Sequence, residues 1–284
     1  MWLVLSARSP ADEQKDLLAE GLLALGGRAV EESGDAMSTW IEAPADAERF
    51  VAQARVALAR ATGGDVEVTW RLEAERDWLA EWRRGLGVRR VGARIVVTPT
   101  WIEPEHVPDD IVIVIDPQMA FGTGEHATTR IALELMQNLV QPGDRVLDVG
   151  TGSAILAIAA ARLGASTVDA VESDADALEN AQENIVRNGA REHVELAQAH
   201  VDLSWLNARA ESYNGILANI PSGVLRPLLP GFLRALRPRG YVILCGILRE
   251  EAVVLRTAAL AAGFTAASER AEDEWWGGAF YGSA

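Results

Sequence analysis

Short apolar runs alternate with two amphipathic helical patterns at the start of the chain. Apolar residues recur at helical spacing over residues 11–25 and 46–61, and a glycine pair closely follows each pattern, as is common where helices end. Strand-like runs flank these helices, at residues 2–6, 29–32, 38–42 and 66–72. The pattern predicts a small α+β, ferredoxin-like domain over residues 1–72.

The next stretch of the chain carries two tryptophans, Trp78 and Trp82. Residues four apart share one face of a helix, so we expect a short helix whose tryptophans pack between domains. Residues 73–92 are therefore assigned to a linker.

From residue 93 the rhythm changes to apolar strands separated by helical patterns, which is typical of βαβ units around a parallel sheet. Strands are predicted at 144–150, 167–172, 194–197, 215–219 and 241–245, with helices at 131–139, 155–163, 175–188, 224–236 and 249–262. The last two strands, 264–269 and 275–281, are joined by an acidic turn too short for a crossover helix, so they should form a hairpin. We predict an α/β, Rossmann-like domain over residues 93–284 with seven strands and a reversed last one.

The charge balance narrows the choice of partners. A net charge of −15 argues against direct nucleic-acid binding, which needs clustered Lys and Arg, and fits a basic partner better. The sequence shows neither a secretory leader nor an apolar run of about eighteen residues. We therefore expect a cytoplasmic protein that makes no membrane contact, and a monomer.

Cysteine and histidine, which often bind metals, show no metal-binding pattern in this sequence. The single cysteine, Cys245, lies in an apolar run and can form no internal disulfide, so it is predicted to be a buried strand residue. The four histidines lack the spacing that would place two imidazoles side by side. No metal site is predicted.

A glycine turn follows the first strand of the βαβ region. Gly150 and Gly152 permit a tight turn and close approach of a ligand to the backbone. The dinucleotide fingerprint requires a third glycine where this chain has Ile155, which disfavours a pyrophosphate. The remaining pattern, Asp-x-Gly-x-Gly, is typical of sites for S-adenosylmethionine.

An acidic residue, Glu172, ends the second strand at the same edge of the predicted sheet. A carboxylate there can accept hydrogen bonds from both hydroxyls of a ribose. Asp174, two residues later, is instead predicted to cap the following helix.

Two further polar segments are expected at this edge. Residues 116–130 form a glycine-bearing stretch in which Thr128 or Thr129 can cap a helix or donate to a ligand carboxylate. Asn219 ends the fourth strand, where the chemistry is expected. Pro221 biases Ile220 towards an extended backbone, which would turn the Ile220 carbonyl outward beside the asparagine.

Six segments carry a resemblance to a known family. They are residues 77–84 (DWLAEWRR), 119–130 (MAFGTGEHATTR), 147–153 (LDVGTGS), 218–220 (ANI), 246–248 (GIL) and 274–275 (EW). Together the chain resembles the bacterial methyltransferases of the large-subunit ribosomal protein L11, over almost its whole length. The resemblance implies a substrate-recognising N-terminal domain and a catalytic domain that methylates α-amino and lysine ε-amino groups.

The same resemblance implies cofactor contacts at four positions, Thr129, Gly150, Glu172 and Asn219. The predicted S-adenosylmethionine-binding residues are Phe121, Thr123, Thr129, Gly150, Gly152, Glu172 and Asn219, and the predicted catalytic residues are Asn219 and Ile220. The Asn219 side-chain oxygen and the Ile220 carbonyl would orient the amine, with Phe121 and Trp275 as apolar walls.

Three residues depart from the family pattern. Ala154 stands where glycine is usual, Glu172 replaces the commoner aspartate, and Pro221 replaces a larger apolar residue. Two other functions therefore stay open: methylation of another protein amide, amine or small-molecule amine, and noncatalytic binding of S-adenosylmethionine.

Overall fold

The computed structural model describes residues 1–8, 14–27, 29–33, 36–73, 87–116, 122 and 124–282. The chain divides into two compact units, Met1–Gly85 and Leu86–Ala284. Within the described ranges, every helix is too short or too polar to cross a membrane. The predicted Trp78 and Trp82 helix lies outside the described residues.

The first unit has the order β1 (Trp2–Arg8), α1 (Lys15–Ala24), β2 (Val30–Ser33), β3 (Ala36–Glu42), α2 (Ala47–Thr62) and β4 (Glu67–Glu73). Its strands form an antiparallel sheet in the order β2-β3-β1-β4. Apolar residues of β1 and both helices, such as Leu3, Leu18 and Leu58, are fully buried in its core. This is the ferredoxin-like arrangement that the alternation of elements predicts.

Three short strands at the start of the second unit form a sheet of their own. They are β5 (Arg89–Val91), β6 (Ile95–Thr98) and β7 (Ile111–Val114), in the order β5-β6-β7. These strands were not predicted, because runs of three or four residues are too short to show a period. Strand β5 lies inside the segment that was assigned to the linker.

The remaining strands form one seven-stranded sheet. They are β8 (Arg145–Val149), β9 (Thr167–Glu172), β10 (Val194–Gln198), β11 (Tyr213–Asn219), β12 (Leu236–Leu248), β13 (Thr265–Glu272) and β14 (Trp275–Tyr281). The order is β10-β9-β8-β11-β12-β14-β13, parallel up to β12, with β14 antiparallel to both of its neighbours. The predicted Rossmann-like sheet with a reversed last strand is confirmed.

Six helices of this unit surround the sheet in the described residues. They are α3 (Ala127–Met136), α4 (Ile155–Leu163), α5 (Ala175–Arg187), α6 (Leu203–Asn207), α7 (Ser222–Ala235) and α8 (Ala252–Ala261). The last begins after a 3-10 turn at Arg249–Glu251. The short α6 was not predicted, because five residues carry no helical period.

The start of α3 corrects the sequence prediction. The apolar period begins at Ile131, but the helix begins at Ala127 and is capped by His126, whose Nδ1 accepts from the Thr128 N–H. Thr128 and Thr129 therefore lie in the first helical turn, and neither is the cap. Histidine is not among the usual cap residues, which is why the pattern missed it.

Candidate active site at the carboxyl ends of the strands

A cavity of about 810 Å³ opens where strands β8, β9 and β11 end. Ligands of open α/β sheets bind outside the carboxyl ends of the strands, where connections leave in opposite directions. Predicted site residues from three loops line this cavity: Gly150, Gly152, Glu172, Asn219 and Ile220. The structure thus brings these five together, although they are up to seventy residues apart in the chain.

The loop after β8 follows a left-handed backbone path. Gly150 has φ 67°, Gly152 has φ 53°, and Ala154, at the start of α4, has φ 65°. Non-glycine residues rarely adopt this conformation because the Cβ crowds the following carbonyl. Ala154 is fully buried and does not line the cavity, so its methyl group strains the backbone and makes no contact with the cavity.

A buried carboxylate lies beneath this loop. Asp148 accepts hydrogen bonds at Oδ2 from the Thr151 hydroxyl (2.6 Å) and the Ala157 N–H (3.1 Å). Burial raises the pKa of Asp148 to about 7, although these two bonds favour its ionised form, and the negative charge of Glu172 raises the pKa further. Asp148 therefore links the loop to the first turn of α4.

Both carboxylate oxygens of Glu172 accept hydrogen bonds from backbone N–H groups. Its Oε2 accepts from the Gly152 N–H at 3.0 Å. Its Oε1 accepts from the N–H groups of Ser173 (2.7 Å) and Asp174 (3.0 Å). The sequence predicted only that this acid binds a ribose. In the structure its carboxylate also joins the glycine loop to the end of β9 by hydrogen bonds. Asp174 caps α5 as predicted, accepting from the Asp176 N–H.

The loop after β11 presents an acceptor with no partner. Oδ1 of Asn219 is buried and accepts no hydrogen bond within the described part of the chain. The next residue, Ile220, is enclosed by two glycines: a Cβ on Gly150 would lie 2.6 Å from its Cγ2, and a Cβ on Gly246 would lie 2.8 Å from its carbonyl oxygen. An unpaired buried acceptor is costly, so this oxygen is suited to an N–H group that a ligand brings.

Residues at the start of α3 and in β14 also line the cavity. His126, Thr128 and Trp275 line the cavity, whereas Thr129 is fully buried behind them, its Oγ1 without a partner in the described residues. Thr128 and Thr129 are both fully buried, but only Thr128 lines the cavity, so the structure does not place the predicted cofactor contact Thr129 in its lining. Phe121 and Thr123 lie outside the described residues.

His126 is a site residue that sequence reasoning missed. Its Nδ1 is 2.8 Å from the Thr128 hydroxyl, and its ring packs edge to face with Trp275 at 4.9 Å. Burial and the neighbouring charge of Arg130 lower the pKa of His126. The signal lay in the Gly-x-His of the segment 119–130, which carries the family resemblance but by itself predicts no role for the imidazole.

The lining residues distinguish between classes of ligand. Among those that the structure describes, none is a lysine or arginine, while Glu172, Asp174 and Asp176 are acidic. A polyphosphate would meet repulsion there, but a neutral nucleoside with a cationic tail would not. Two acceptors in the lining also suit S-adenosylmethionine. Asn219 Oδ1 has no partner in the described residues, and Glu172 can accept hydrogen bonds from the hydroxyls of a ribose. No group of three metal-binding side chains occurs in the ranges that the structure describes.

Comparison with known proteins agrees with this chemistry. The family described as ribosomal protein L11 methyltransferase (PrmA) matches residues 11–279. Relatives with the name ribosomal protein L11 methyltransferase are 39% identical in Chloroflexus aurantiacus, over 71% of this chain and 68% of the relative, and 42% identical in Syntrophotalea carbinolica, over 72% and 66%. The chain thus spans about two thirds of the length of these relatives.

A solved structure is similar as well. The crystal structure of a ribosomal protein L11 methylase from Lactobacillus delbrueckii subsp. bulgaricus superposes with a TM-score of 0.61 at 30% identity, covering 70% of this chain and all of that one.

Proposed function

The chain belongs to the ribosomal protein L11 methyltransferase (PrmA) family, and we propose from this premise that it methylates amino groups of ribosomal protein L11 with S-adenosylmethionine. The observation that carries the proposal is the one cavity shared by Gly150, Glu172 and Asn219. The targets are the α-amino group and lysine ε-amino groups.

The cofactor would be held by the glycine loop and Glu172. The carboxylate of Glu172 retains lone pairs for the ribose hydroxyls beside its backbone bonds. Gly150 and Gly152 expose backbone close to the ligand, and the apolar Val201 and Leu228 in the same wall suit a flat base. When bound, S-adenosylmethionine supplies a methyl group that its sulfonium has already activated.

Asn219 and Ile220 would then orient the amine. An α-amine has an ordinary pKa of about 8 and a lysine about 10.4, so each must lose a proton before its lone pair can attack. Oδ1 of Asn219 and the Ile220 carbonyl accept the N–H groups of the neutral amine, which aims its lone pair at the methyl group. The apolar wall of Trp275 favours the neutral form by desolvation. Positioning therefore supplies most of the rate enhancement.

The partner is a basic protein rather than nucleic acid. The net charge of −15 supports this choice, since attraction between opposite charges speeds encounter. The unit Met1–Gly85 recognises the ribosomal protein, as the family resemblance implies. The reaction takes place in the cytoplasm, with the enzyme as a monomer.

A transfer assay tests the proposal directly. Purified ribosomal protein L11 is incubated with the enzyme and S-adenosylmethionine labelled in the methyl group. We expect label in the ribosomal protein, a loss of at least about 100-fold in the rate with Asn219→Ala, and a much smaller loss of cofactor affinity, because Asn219 is also a predicted cofactor contact. The control is Asn207→Ala, since Asn207 is exposed at the end of α6.

The other outcomes separate the competing functions. Label in a different protein or a small amine would assign another substrate, and binding without transfer to any acceptor would indicate a noncatalytic protein. Normal turnover of Asn219→Ala would remove the role proposed for its side chain.

A further inference from the structure

Strand β7 lies at the edge of its sheet, and side chains take the place of a neighbouring strand. Among the strands that the structure describes, it pairs only with β6, so every second residue directs its N–H and carbonyl groups away from the sheet. Three buried asparagines, two in α5 and one at its C-cap, face these groups: Asn180, Asn184 and Asn188, which are 2%, 0% and 6% exposed. We call them the asparagine ladder.

The ladder pairs with the edge of β7 in a defined register. Asn188 accepts from the Val114 N–H at 2.8 Å and donates to the Val114 carbonyl at 2.7 Å. Two residues later, the Asp116 N–H donates to Asn184 Oδ1 at 3.3 Å, and Asn180 Nδ2 donates to the Asp116 carbonyl at 3.2 Å.

The spacing explains why the ladder works. Four residues of a helix rise about 6.0 Å, and two residues of a strand span about 6.6 Å. Side chains at every fourth position of α5 therefore match every second residue of the strand. A slip by one strand residue would turn the outward groups away from the ladder.

Unlike Asn188, Asn184 also bonds the glycine loop, and its side chain makes two further hydrogen bonds, with Asn180 (3.3 Å) and Arg187 (2.6 Å). Its Nδ2 donates to the Ser153 carbonyl at 3.1 Å. Ser153 in turn donates from Oγ to the Gly122 carbonyl at 2.5 Å, and a Cβ on Gly122 would lie 2.8 Å from that Oγ. One amide thus connects the end of β7 with the loop whose Gly150 and Gly152 line the cavity.

We propose that Asn184 is a positioning residue for the cofactor site, which fixes the glycine loop against Asp116 and so places Gly150 and Gly152. The inference rests on the proposed function, since it concerns the cavity assigned there to S-adenosylmethionine. Asn184 itself does not line that cavity, so it acts through Ser153.

A purely structural role is the competing interpretation, and Asn188 provides the matched control. Asn188 is similarly buried and makes three hydrogen bonds, to Val114 and to the Asn184 carbonyl, but none to the glycine loop. Both alanine variants should lower the melting temperature, Asn184→Ala somewhat more, because its side chain makes four hydrogen bonds and that of Asn188 makes three. By calorimetry with S-adenosylmethionine, we expect Kd to rise about tenfold for Asn184→Ala, which is the worth of one well-placed hydrogen bond, and less than about twofold for Asn188→Ala.

A second variant covers the case in which the alanine variant folds poorly. Asn184→Asp keeps the oxygen that accepts from Asp116 and from Arg187, whose Nη1 is 2.6 Å away. It replaces only the Nδ2 donor, and so sets an oxygen against the Ser153 carbonyl and against Asn180 Oδ1, the two acceptors of that donor. The Arg187 charge stabilises the new carboxylate, and the expected rise in Kd matches that of the alanine variant.

Hydrogen exchange of the cofactor-free protein gives a readout that does not depend on binding. The Gly152 N–H, bonded to Glu172, should exchange faster in Asn184→Ala than in Asn188→Ala. Equal exchange and equal Kd in the two variants would overturn the inference. If the wild-type protein takes up no S-adenosylmethionine, the proposed function fails, while the exchange of Gly152 still decides the role of Asn184.

Discussion

The carboxylate of Glu172 accepts a hydrogen bond from the Gly152 N–H at 3.0 Å. This bond joins the end of β9 to the glycine loop, and both residues line the cavity. Because the other carboxylate oxygen accepts from Ser173 and Asp174, Glu172 shapes the site and also offers acceptors to a ribose.

Removal of this carboxylate should weaken cofactor binding strongly. Glu172→Ala loses the acceptor for the Gly152 N–H and for the ribose hydroxyls, and a hydrogen bond to a charged group contributes about 1.5–3 kcal/mol. We expect Kd for S-adenosylmethionine to rise roughly 10- to 100-fold, as measured by calorimetry. Glu179→Ala removes an exposed acid of α5, the helix that follows Glu172 in the chain. This variant should leave Kd nearly unchanged, and it therefore controls for the loss of one negative charge.

Gly246 should tolerate no side chain. It has φ 83°, and a Cβ there would lie 2.8 Å from the Ile220 carbonyl oxygen. Gly246→Ala must displace Ile220, whose carbonyl we assign to the amine, and a misplacement of about 1 Å can reduce a rate 100-fold. We expect the methyl-transfer rate to fall at least about tenfold.

Gly223→Ala is the matched control for this prediction. A Cβ on Gly223 meets no atom within 4 Å, and the residue lies in α7, where alanine is favoured. This variant should keep its activity and gain slightly in stability. Equal activity of the two alanine variants would contradict the assignment of Ile220.

The elements that sequence predicted well are those with long, uniform apolar patterns. Helix α4 and strand β9 begin and end where the pattern places them, because both are buried and bounded by turn residues. The cavity residues Gly150, Glu172 and Asn219 were predicted for the same reason, since each lies at the carboxyl end of a parallel strand.

The features that were not predicted depend on contacts that produce no periodic pattern in the sequence. In the sequence, the asparagines of the ladder have the spacing of an exposed polar face on an amphipathic helix, although Asn184 is fully buried. His126 caps α3 by an imidazole nitrogen, which no propensity scale anticipates. The backbone bonds of Glu172 require the loop and the strand end to meet in space, and spacing along the chain does not encode that meeting.

The strain at Ala154 should be visible in stability. Ala154→Gly loses a buried methyl group but relieves a left-handed backbone that costs a non-glycine residue about 1–2 kcal/mol. Ala160 is equally buried in regular helix, and Ala160→Gly has no such gain. We expect Ala160→Gly to lower the free energy of unfolding by at least about 1 kcal/mol more than Ala154→Gly, measured by urea denaturation. Equal losses would show that φ 65° at Ala154 stores no strain.

Asp148 should make stability depend on pH. Its pKa is raised to about 7 by burial, above the ordinary value of about 3.9 that it has in the unfolded chain. Between about pH 4 and 7 the folded state therefore holds a proton that the unfolded state has lost, so this group lowers the free energy of unfolding as pH rises through that window. Asp148→Asn cannot ionise, yet its Oδ1 can still accept from Thr151 and Ala157. The melting temperature of Asp148→Asn, relative to wild type, should rise by a few degrees between pH 5 and 8, since one pKa unit corresponds to about 1.4 kcal/mol. A difference between the two proteins that stays constant over this range would mean that Asp148 is already ionised at pH 5, and that the hydrogen bonds from Thr151 and Ala157 outweigh its burial.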